Sequence, residues 1–316
     1  MSTVISTTEL TKDFRTGFWK TQTFRALDRL NLGIQENEIF GYLGPNGAGK
    51  STTLKLLMSL IYPSSGSAMI LGRSVSDHRA RQHAGYLPET PFFYEYLTAE
   101  EFLSFYAGLF DLGPLEIRRR VSYYLHLAGV YEQRKLQLRK FSKGMIQRVG
   151  IVQALLNDPQ VVFLDEPMSG LDPIGRREVR DLILKLKKEG KTVFFSTHIL
   201  NDVETVCDRV GILNKGRLIG SGLLKDLVSK EVQHIEVMVV GVELAVLRSW
   251  LPPDIPIFPN GSTLRLDLSP DIPLSPVISQ VEQAAGKILS INPVRQTMEE
   301  FFFSLLEKKP GEGGRG

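Results

Sequence analysis

Gly44-Pro45-Asn46-Gly47-Ala48-Gly49-Lys50-Ser51 is the stretch whose reading decides the fold of this 316-residue chain. It fits the pattern G-x-x-x-x-G-K-[ST] in full. Glycines let such a loop curl until successive backbone N–H groups converge on phosphate oxygens. Its lysine reaches the β- and γ-phosphates, and the hydroxyl after it faces Mg²⁺. Lys50 and Ser51 hold those two places. Both flanks agree. Glu38-Ile39-Phe40-Gly41-Tyr42-Leu43 reads as a short buried strand, and Leu54, Leu57, Met58 and Ile61 recur at helical spacing. A strand, a Gly-rich turn and a helix N-terminus make an anion site. Gly44, Asn46, Gly47, Ala48, Gly49, Lys50, Ser51 and Thr52 are therefore the expected contacts to a bound nucleotide. A chance match of a Gly-rich turn is the alternative, and the flanks argue against it.

Composition narrows the classes. The length suggests about two domains, and 42% hydrophobic with 23% charged residues is ordinary for a globular protein. With a net charge of +3 and no dense Lys/Arg block, nothing calls for nucleic acid. Arg118-Arg119-Arg120 is the tightest basic cluster and reads as a solvated helix face in preference to a lipid-headgroup contact. The single cysteine, Cys207, excludes an internal disulfide framework. It sits in an apolar-periodic run, as a small packed side chain would. The N-terminus lacks the pattern of a signal peptide, and no apolar run approaches the ~20 residues that span a bilayer. The expected location is cytoplasmic, with any membrane role exercised through a partner.

Outward from the loop, the segment up to Leu43 reads as β-rich, with Thr16-Gly17-Phe18-Trp19-Lys20 a loop carrying two aromatics. Thr98-Ala99-Glu100-Glu101 fits a capping box at a helix start. Gly113-Pro114 is expected to end that helix, and a second helix runs from about Leu115 to Ala128. A third begins near Ser142. In Gln160-Val161-Val162-Phe163-Leu164 the four residues after the glutamine are continuously apolar, as a strand buried on both faces requires. Val179, Leu182, Ile183 and Leu186 form a helical face that Gly190 stops, and Thr192 to Ser196 is another buried strand. This alternation predicts a parallel sheet with right-handed crossovers. Composition shifts at Gly220-Ser221-Gly222, and a small α+β domain of βαββαβ type is expected from there to about residue 307. Residues 308–316 read as a disordered tail.

Two carboxylates carry the chemistry. The strand Val161-Val162-Phe163-Leu164 ends in Asp165, which would reach the carboxyl edge of the sheet beside the loop and hold Mg²⁺. Glu166 follows and points elsewhere, since side chains alternate on a strand. It is placed to polarise a water for in-line attack on the γ-phosphate. An acidic turn after a strand is the plainer alternative.

Together with Phe141-Ser142-Lys143-Gly144-Met145, Ser169-Gly170-Leu171-Asp172 and His198, the order of these motifs resembles the nucleotide-binding subunits of ABC transporters. The resemblance covers about the first 220 residues. It implies a P-loop NTPase core of ABC type at 1–222, with an N-terminal β-subdomain and a helical subdomain at about 90–158, which leaves 223–307 as the accessory domain that the composition shift marks. It implies two subunits, expected to be identical copies, sandwiching two ATP molecules head to tail. Lys50, Ser51 and Asp165 would act in one subunit, while Ser142 and Gly144 of the other close on the same γ-phosphate. The physics suits this, because Ser142 would cap a helix whose positive end meets the anion. By the same resemblance Glu166 is the general base, His198 holds the γ-phosphate and water in register, and Asp172 links the two sites. An aromatic ring from the N-terminal part stacks on adenine. Phe14 is the choice, with Phe18 and Trp19 as rivals.

The chain departs from the family at two places. Its signature lacks the usual Leu-Ser-Gly-Gly-Gln, although Ser142 and Gly144 remain. Lys143 there either adds a charge near the partner's nucleotide or faces solvent. Glu89 stands where most relatives have a Gln that binds Mg²⁺ and levers the membrane subunit. Glu keeps an oxygen ligand, adds charge and loses the amide donor. Both variants, and the C-terminal run Thr297-Met298-Glu299-Glu300-Phe301-Phe302, look like the branch whose ATPase powers export through a separate multi-span permease. In this family the permease docks on the helical region between Glu89 and Ser142. There Phe92-Phe93-Tyr94-Glu95-Tyr96 either lines that groove or packs inward. The alternative function is a soluble ABC-type ATPase working on ribosomes or nucleic acid. Against it, Lys50 to Ser142 lacks sustained heptads and only one nucleotide domain is present. A non-catalytic sensor is a third class, opposed by Glu166 and His198.

Overall fold

The computed structural model describes residues 2–16, 22–227, 232–295 and 300. Phe18 and Trp19, the tail from 308, and the Thr297-to-Phe302 run apart from Glu300 lie outside them. Two compact units divide the chain, Met1–Leu224 and Lys225–Gly316.

The first unit opens with β1 (Thr3–Thr16), β2 (Gln22–Gln35) and β3 (Ile39–Leu43), then α1 (Lys50–Leu57), β4 (Ser65–Ile70) and β5 (Arg73–Ser74). Next come α2 (His78–Arg81), β6 (Ala84–Leu87), α3 (Ala99–Ala107), α4 (Pro114–Leu127) and α5 (Lys143–Gln153). Strands then alternate with helices: β7 (Val161–Asp165), α6 (Pro173–Lys188), β8 (Thr192–Thr197), α7 (Leu200–Val206), β9 (Arg209–Asn214) and β10 (Arg217–Leu223).

Strands β2-β1-β4-β5 form an antiparallel sheet, and β10-β9-β3-β8-β7-β6 form the main one, parallel except for edge strand β10. Every residue of β3, β7 and β8 is buried, as continuous apolar strands covered on both faces must be. Phe194 of β8 packs against Phe40, Tyr42 and Phe163 at ring separations of 5.6, 5.3 and 5.8 Å. Each such ring adds about 1.5–3 kcal/mol by burial. That cluster fixes the three strands whose carboxyl ends carry the phosphate loop, Asp165 and His198.

Helix α3 starts in the expected capping box, with Thr98 and Glu101 bonding each other's backbone N–H. Gly113-Pro114 does not end that helix. Ala107 is its last residue, and Gly113 is the N-cap of α4 with Pro114 in its first turn. The missing N–H and fixed φ of proline suit a helix start. The aromatic run after Glu89 divides: Phe93 and Tyr94 pack against the core, whereas Phe92 and Tyr96 are exposed. Arg119 is exposed and pairs with Glu116, while Arg120 reaches inward to the carbonyl of Leu156. Burial pushes the Cys207 thiol up, and Cys207 packs against the core as a small side chain.

A short helix, α8 (Leu224–Leu227), ends the described stretch before the second unit's sheet. That unit runs β11 (Val232–Val240), α9 (Leu244–Trp250), β12 (Ile257–Asn260), β13 (Thr263–Leu268), α10 (Leu274–Gln283) and β14 (Lys287–Arg295). The order is βαββαβ and the sheet runs β12-β13-β11-β14, all antiparallel. Its core holds Val237, Val239, Leu247, Leu266, Leu268 and Val281.

Candidate functional site

The loop between β3 and α1 is shaped by close approaches. A Cβ on Gly44 would collide with the Leu213 carbonyl, and one on Gly49 with that of Ala26. Gly49 also holds φ 109°, which favours glycine. It is the N-cap of α1, with no side-chain cap and no acid in the first turn. The first N–H groups of that helix therefore face outward without intrahelical acceptors.

Lys50 is buried beneath the loop. Its Nζ donates to the carbonyls of Gly44 at 2.7 Å and Pro45 at 3.2 Å, and lies 3.2 Å from Oε1 of Glu166. The Ser51 hydroxyl donates to Oδ1 of Asp165 at 3.1 Å. A second hydroxyl, Ser196 on β8, donates to the same oxygen at 2.6 Å and accepts from the Glu166 N–H at 3.0 Å. Asp165 and Ser196 are register partners on β7 and β8. Burial is the largest influence on Asp165 and pushes its carboxyl up, against the two hydroxyl donations. Glu166 is turned differently from Asp165, but not by strand alternation. The strand ends at Asp165, and Glu166 takes φ 50°. A left-handed non-glycine costs roughly 1–2 kcal/mol, a strain typical of functional sites. Its Oε2 lies 2.9 Å from Nδ1 of His198.

Lys50, Ser51 and Glu166 open onto one cavity of about 300 Å³, which Asp165, Ser196 and His198 back through these bonds without lining it. Asn46, Gly47, Gly49, Lys50, Ser51 and Thr52 line it, together with Glu89 and Glu166. Phe14 and Phe24 stand opposite each other on β1 and β2 and form its apolar wall. Lys12 Nζ sits 5.1 Å from the centre of the Phe14 ring. Of the expected contacts, Gly44 and Ala48 serve the loop's own packing and do not line the cavity. Phe24, Ala26 and Ser196 were not among the expected site residues. The cross-strand position of Phe24 opposite Phe14 is a signal that pairing register alone reveals.

Ser142, Gly144 and Asp172 lie elsewhere. Exposed Ser142 is the N-cap of α5 and accepts from the Met145 N–H at 3.2 Å. Asp172 is the N-cap of α6 and accepts from the Gly175 N–H at 2.8 Å. Both line a second cavity of about 360 Å³, along with Lys143, Gly144 and Gly170. The Lys143 ammonium lies over Gly170, where a Cβ would displace it. Neither Ser142, Gly144 nor Asp172 reaches the first cavity within one chain.

The donor set suits a divalent cation beside a polyphosphate. Ser51 and Asp165 offer hard oxygens, and Glu89 adds a third at the cavity wall. Among the described residues no group of three or more His, Cys, Asp or Glu is placed to hold a metal alone. Phosphate oxygens and waters would have to complete such a shell, as Mg²⁺ prefers.

A family model described as "ABC transporter" matches residues 27–169. The chain is 44% identical over 312 residues to "Uncharacterized ABC transporter ATP-binding protein all4389" of Nostoc, covering 97% of this chain and 90% of that one. It is 40% identical over 222 residues to "Bacitracin transport ATP-binding protein BcrA" of Bacillus licheniformis, covering 69% of each. Among solved structures it resembles the "dimeric structure of a post-hydrolysis state of the ATP-binding cassette MJ0796 bound to ADP and Pi". That likeness has a TM-score of 0.63 and 26% identity, over 70% of this chain and 98% of that one.

Proposed function

The chain belongs to the family of ABC transporter ATP-binding proteins, ATPases that serve a transporter, and from that premise we infer that it powers export through a separate membrane permease. The separation of the two cavities is the observation that carries the reading. Lys50, Ser51 and Glu166 line one, with Asp165 bonded to Ser51 and His198 to Glu166, while Ser142, Gly144 and Asp172 of the same chain line another. A second copy laid head to tail would bring its Ser142 end of α5 onto the nucleotide held by the first. The positive end of that helix suits a γ-phosphate.

Within each site Gly47, Gly49 and Lys50 would hold the phosphates, and Phe14 with Phe24 would flank the adenine. Ser51, Asp165 and Glu89 would hold Mg²⁺, which when bound neutralises phosphate charge. Glu166 would accept the proton of the attacking water. With Glu166 ionised, His198 donates Nδ1–H to Oε2 and fixes the carboxylate's rotamer. No helix among the described residues is long and apolar enough to cross a membrane. Exposed Phe92, Tyr96 and Phe105 on the helical region offer the apolar patch on which a permease's cytoplasmic segment would dock. A transport role is favoured by the likeness to the bacitracin transport protein; export, and a place on the cytoplasmic face of the membrane, are the expectations drawn from the motifs.

Affinity purification from solubilised membranes tests the reading. Recovery of a multi-span protein with this chain is expected. Recovery of ribosomes or nucleic acid in its place would transfer the ATPase to a soluble role.

A further inference from the structure

Four buried side-chain polar atoms among the described residues lack a hydrogen-bond partner: Tyr86 Oη, Glu166 Oε1, Arg265 Nε and Asp267 Oδ1. Three of them sit in ion pairs, Glu166 with Lys50 at 3.2 Å and Arg265 with Asp267 at 3.1 Å. The Tyr86 hydroxyl has neither. A buried phenol normally finds a partner, and Tyr42 on β3 of the same sheet does so with Thr53 at 3.3 Å. Each orphan in a native structure calls for an explanation.

Its place suggests one. Tyr86 is on β6, level with Phe163 of β7. Ala84, Tyr86, Val161 and Phe163 pack into the same cluster as Leu54 and Leu57 of α1. By alternation Asp165 lies on that face too, two residues beyond Phe163 and bonded to Ser51 of α1. Glu89, three residues beyond Tyr86, lines the nucleotide cavity. Side chains lean along their strand, so the phenol stands under the edge where both carboxylates emerge. Burial first, then the charges of Asp165 and Glu89, push its ionisation up, so it remains a donor at neutral pH.

We propose that Tyr86 is a positioning residue of the nucleotide site, its hydroxyl held in reserve to donate to an oxygen ligand of the cation between Asp165 and Glu89. This rests on the assignment of Ser51, Asp165 and Glu89 to the cation. The orphaned donor costs stability in the nucleotide-free protein and gains its acceptor when the cation and nucleotide bind.

Tyr86→Phe removes the hydroxyl and little else. Two readouts apart from turnover decide the matter: thermal stability with and without Mg²⁺ and ATP, and Mn²⁺ binding followed by electron paramagnetic resonance in the presence of ADP. The variant is expected to melt at the parent's temperature or above without ligand. Its stabilisation by Mg²⁺ with ATP should shrink, and half-saturating Mn²⁺ should rise roughly five- to tenfold, as expected for about one lost hydrogen bond. Nucleotide affinity in EDTA should not change. Tyr86→Leu should repeat the cation effect. Equal ligand-induced stabilisation and equal Mn²⁺ binding in parent and Tyr86→Phe would overturn the proposal, as would a variant less stable without ligand. A parent indifferent to Mg²⁺ with ATP would overturn the cation assignment itself, and this role with it.

Discussion

Nδ1 of His198 lies 2.9 Å from Oε2 of Glu166. The histidine follows β8 and the glutamate follows β7, so neighbouring parallel strands deliver the pair side by side. The other carboxylate oxygen faces Lys50. One carboxylate thus joins Lys50 of the loop to His198. Removing its charge should separate binding from turnover.

Glu166→Gln should lower the ATP turnover rate at least a hundredfold, the usual contribution of a positioned general base. ATP-bound dimer should accumulate, read by light scattering after gel filtration. His198→Ala should also lower turnover while leaving nucleotide affinity close to the parent's. A Glu166→Gln protein that hydrolyses ATP at the parent's rate would remove Glu166 from the base role.

Lys50→Ala has two expected consequences. ATP affinity by calorimetric titration should fall steeply. The nucleotide-free protein should lose about 3–5 kcal/mol in urea unfolding, because removing one partner of a buried ion pair leaves the carboxylate uncompensated. Adding Glu166→Gln to the same chain should restore part of that loss. Additive effects in the double variant would show that the 3.2 Å pair carries no coupling.

Two caps separate fold from function. Thr98→Ala and Ser142→Ala each remove an N-cap hydroxyl, at roughly 1 kcal/mol. Only Ser142→Ala should also weaken ATP-driven dimerisation, measured in the Glu166→Gln background. Equal dimerisation in both would detach the α5 N-terminus from the partner's nucleotide.

Phe14 and Phe24 share one wall of the cavity beside the phosphate loop. Stacking against a base contributes about 1–3 kcal/mol per aromatic by alanine substitution. Whichever ring contacts adenine should therefore cost at least fivefold in ATP affinity on substitution by Ala, with inorganic triphosphate binding unaltered. If neither substitution distinguishes ATP from triphosphate, the adenine lies elsewhere.

Acid stability gives a prediction away from the site. Donation from Arg119, and then Arg120, lowers Glu116 from its ordinary 4.5 to about 2. A depressed carboxylate stabilises the fold above its unfolded value and loses that contribution as pH falls through the folded one. The parent's advantage over Glu116→Gln should hold above about pH 4.5 and vanish towards pH 2. The effect should be small and shrink in salt, because the pair is solvent-screened. A constant difference across that window would contradict the assignment.

Local chemistry was legible in the sequence. The phosphate loop, the apolar strand ending in Asp165 and the capping residues Thr98 and Ser142 depend on neighbours within a few positions, so their residue types announce them. The βαββαβ order of the second unit was legible for the same reason, from alternating apolar runs. Gly113-Pro114 was misplaced because the same dipeptide suits the end of one helix and the start of the next, and only the packing of α3 and α4 decides between them.

What crosses from strand to strand had no such signal. Ser196 holds Asp165 from 31 residues away, and Phe24 becomes a wall of the site through its register with Phe14. The backbone turn at Glu166, the Lys50–Glu166 ion pair and the unpartnered Tyr86 hydroxyl also depend on how strands and α1 come together. Hydrogen bonds and ion pairs are short-ranged and directional. Sequence determined which groups this protein possesses, and tertiary structure alone decided which of them stand within reach of one another.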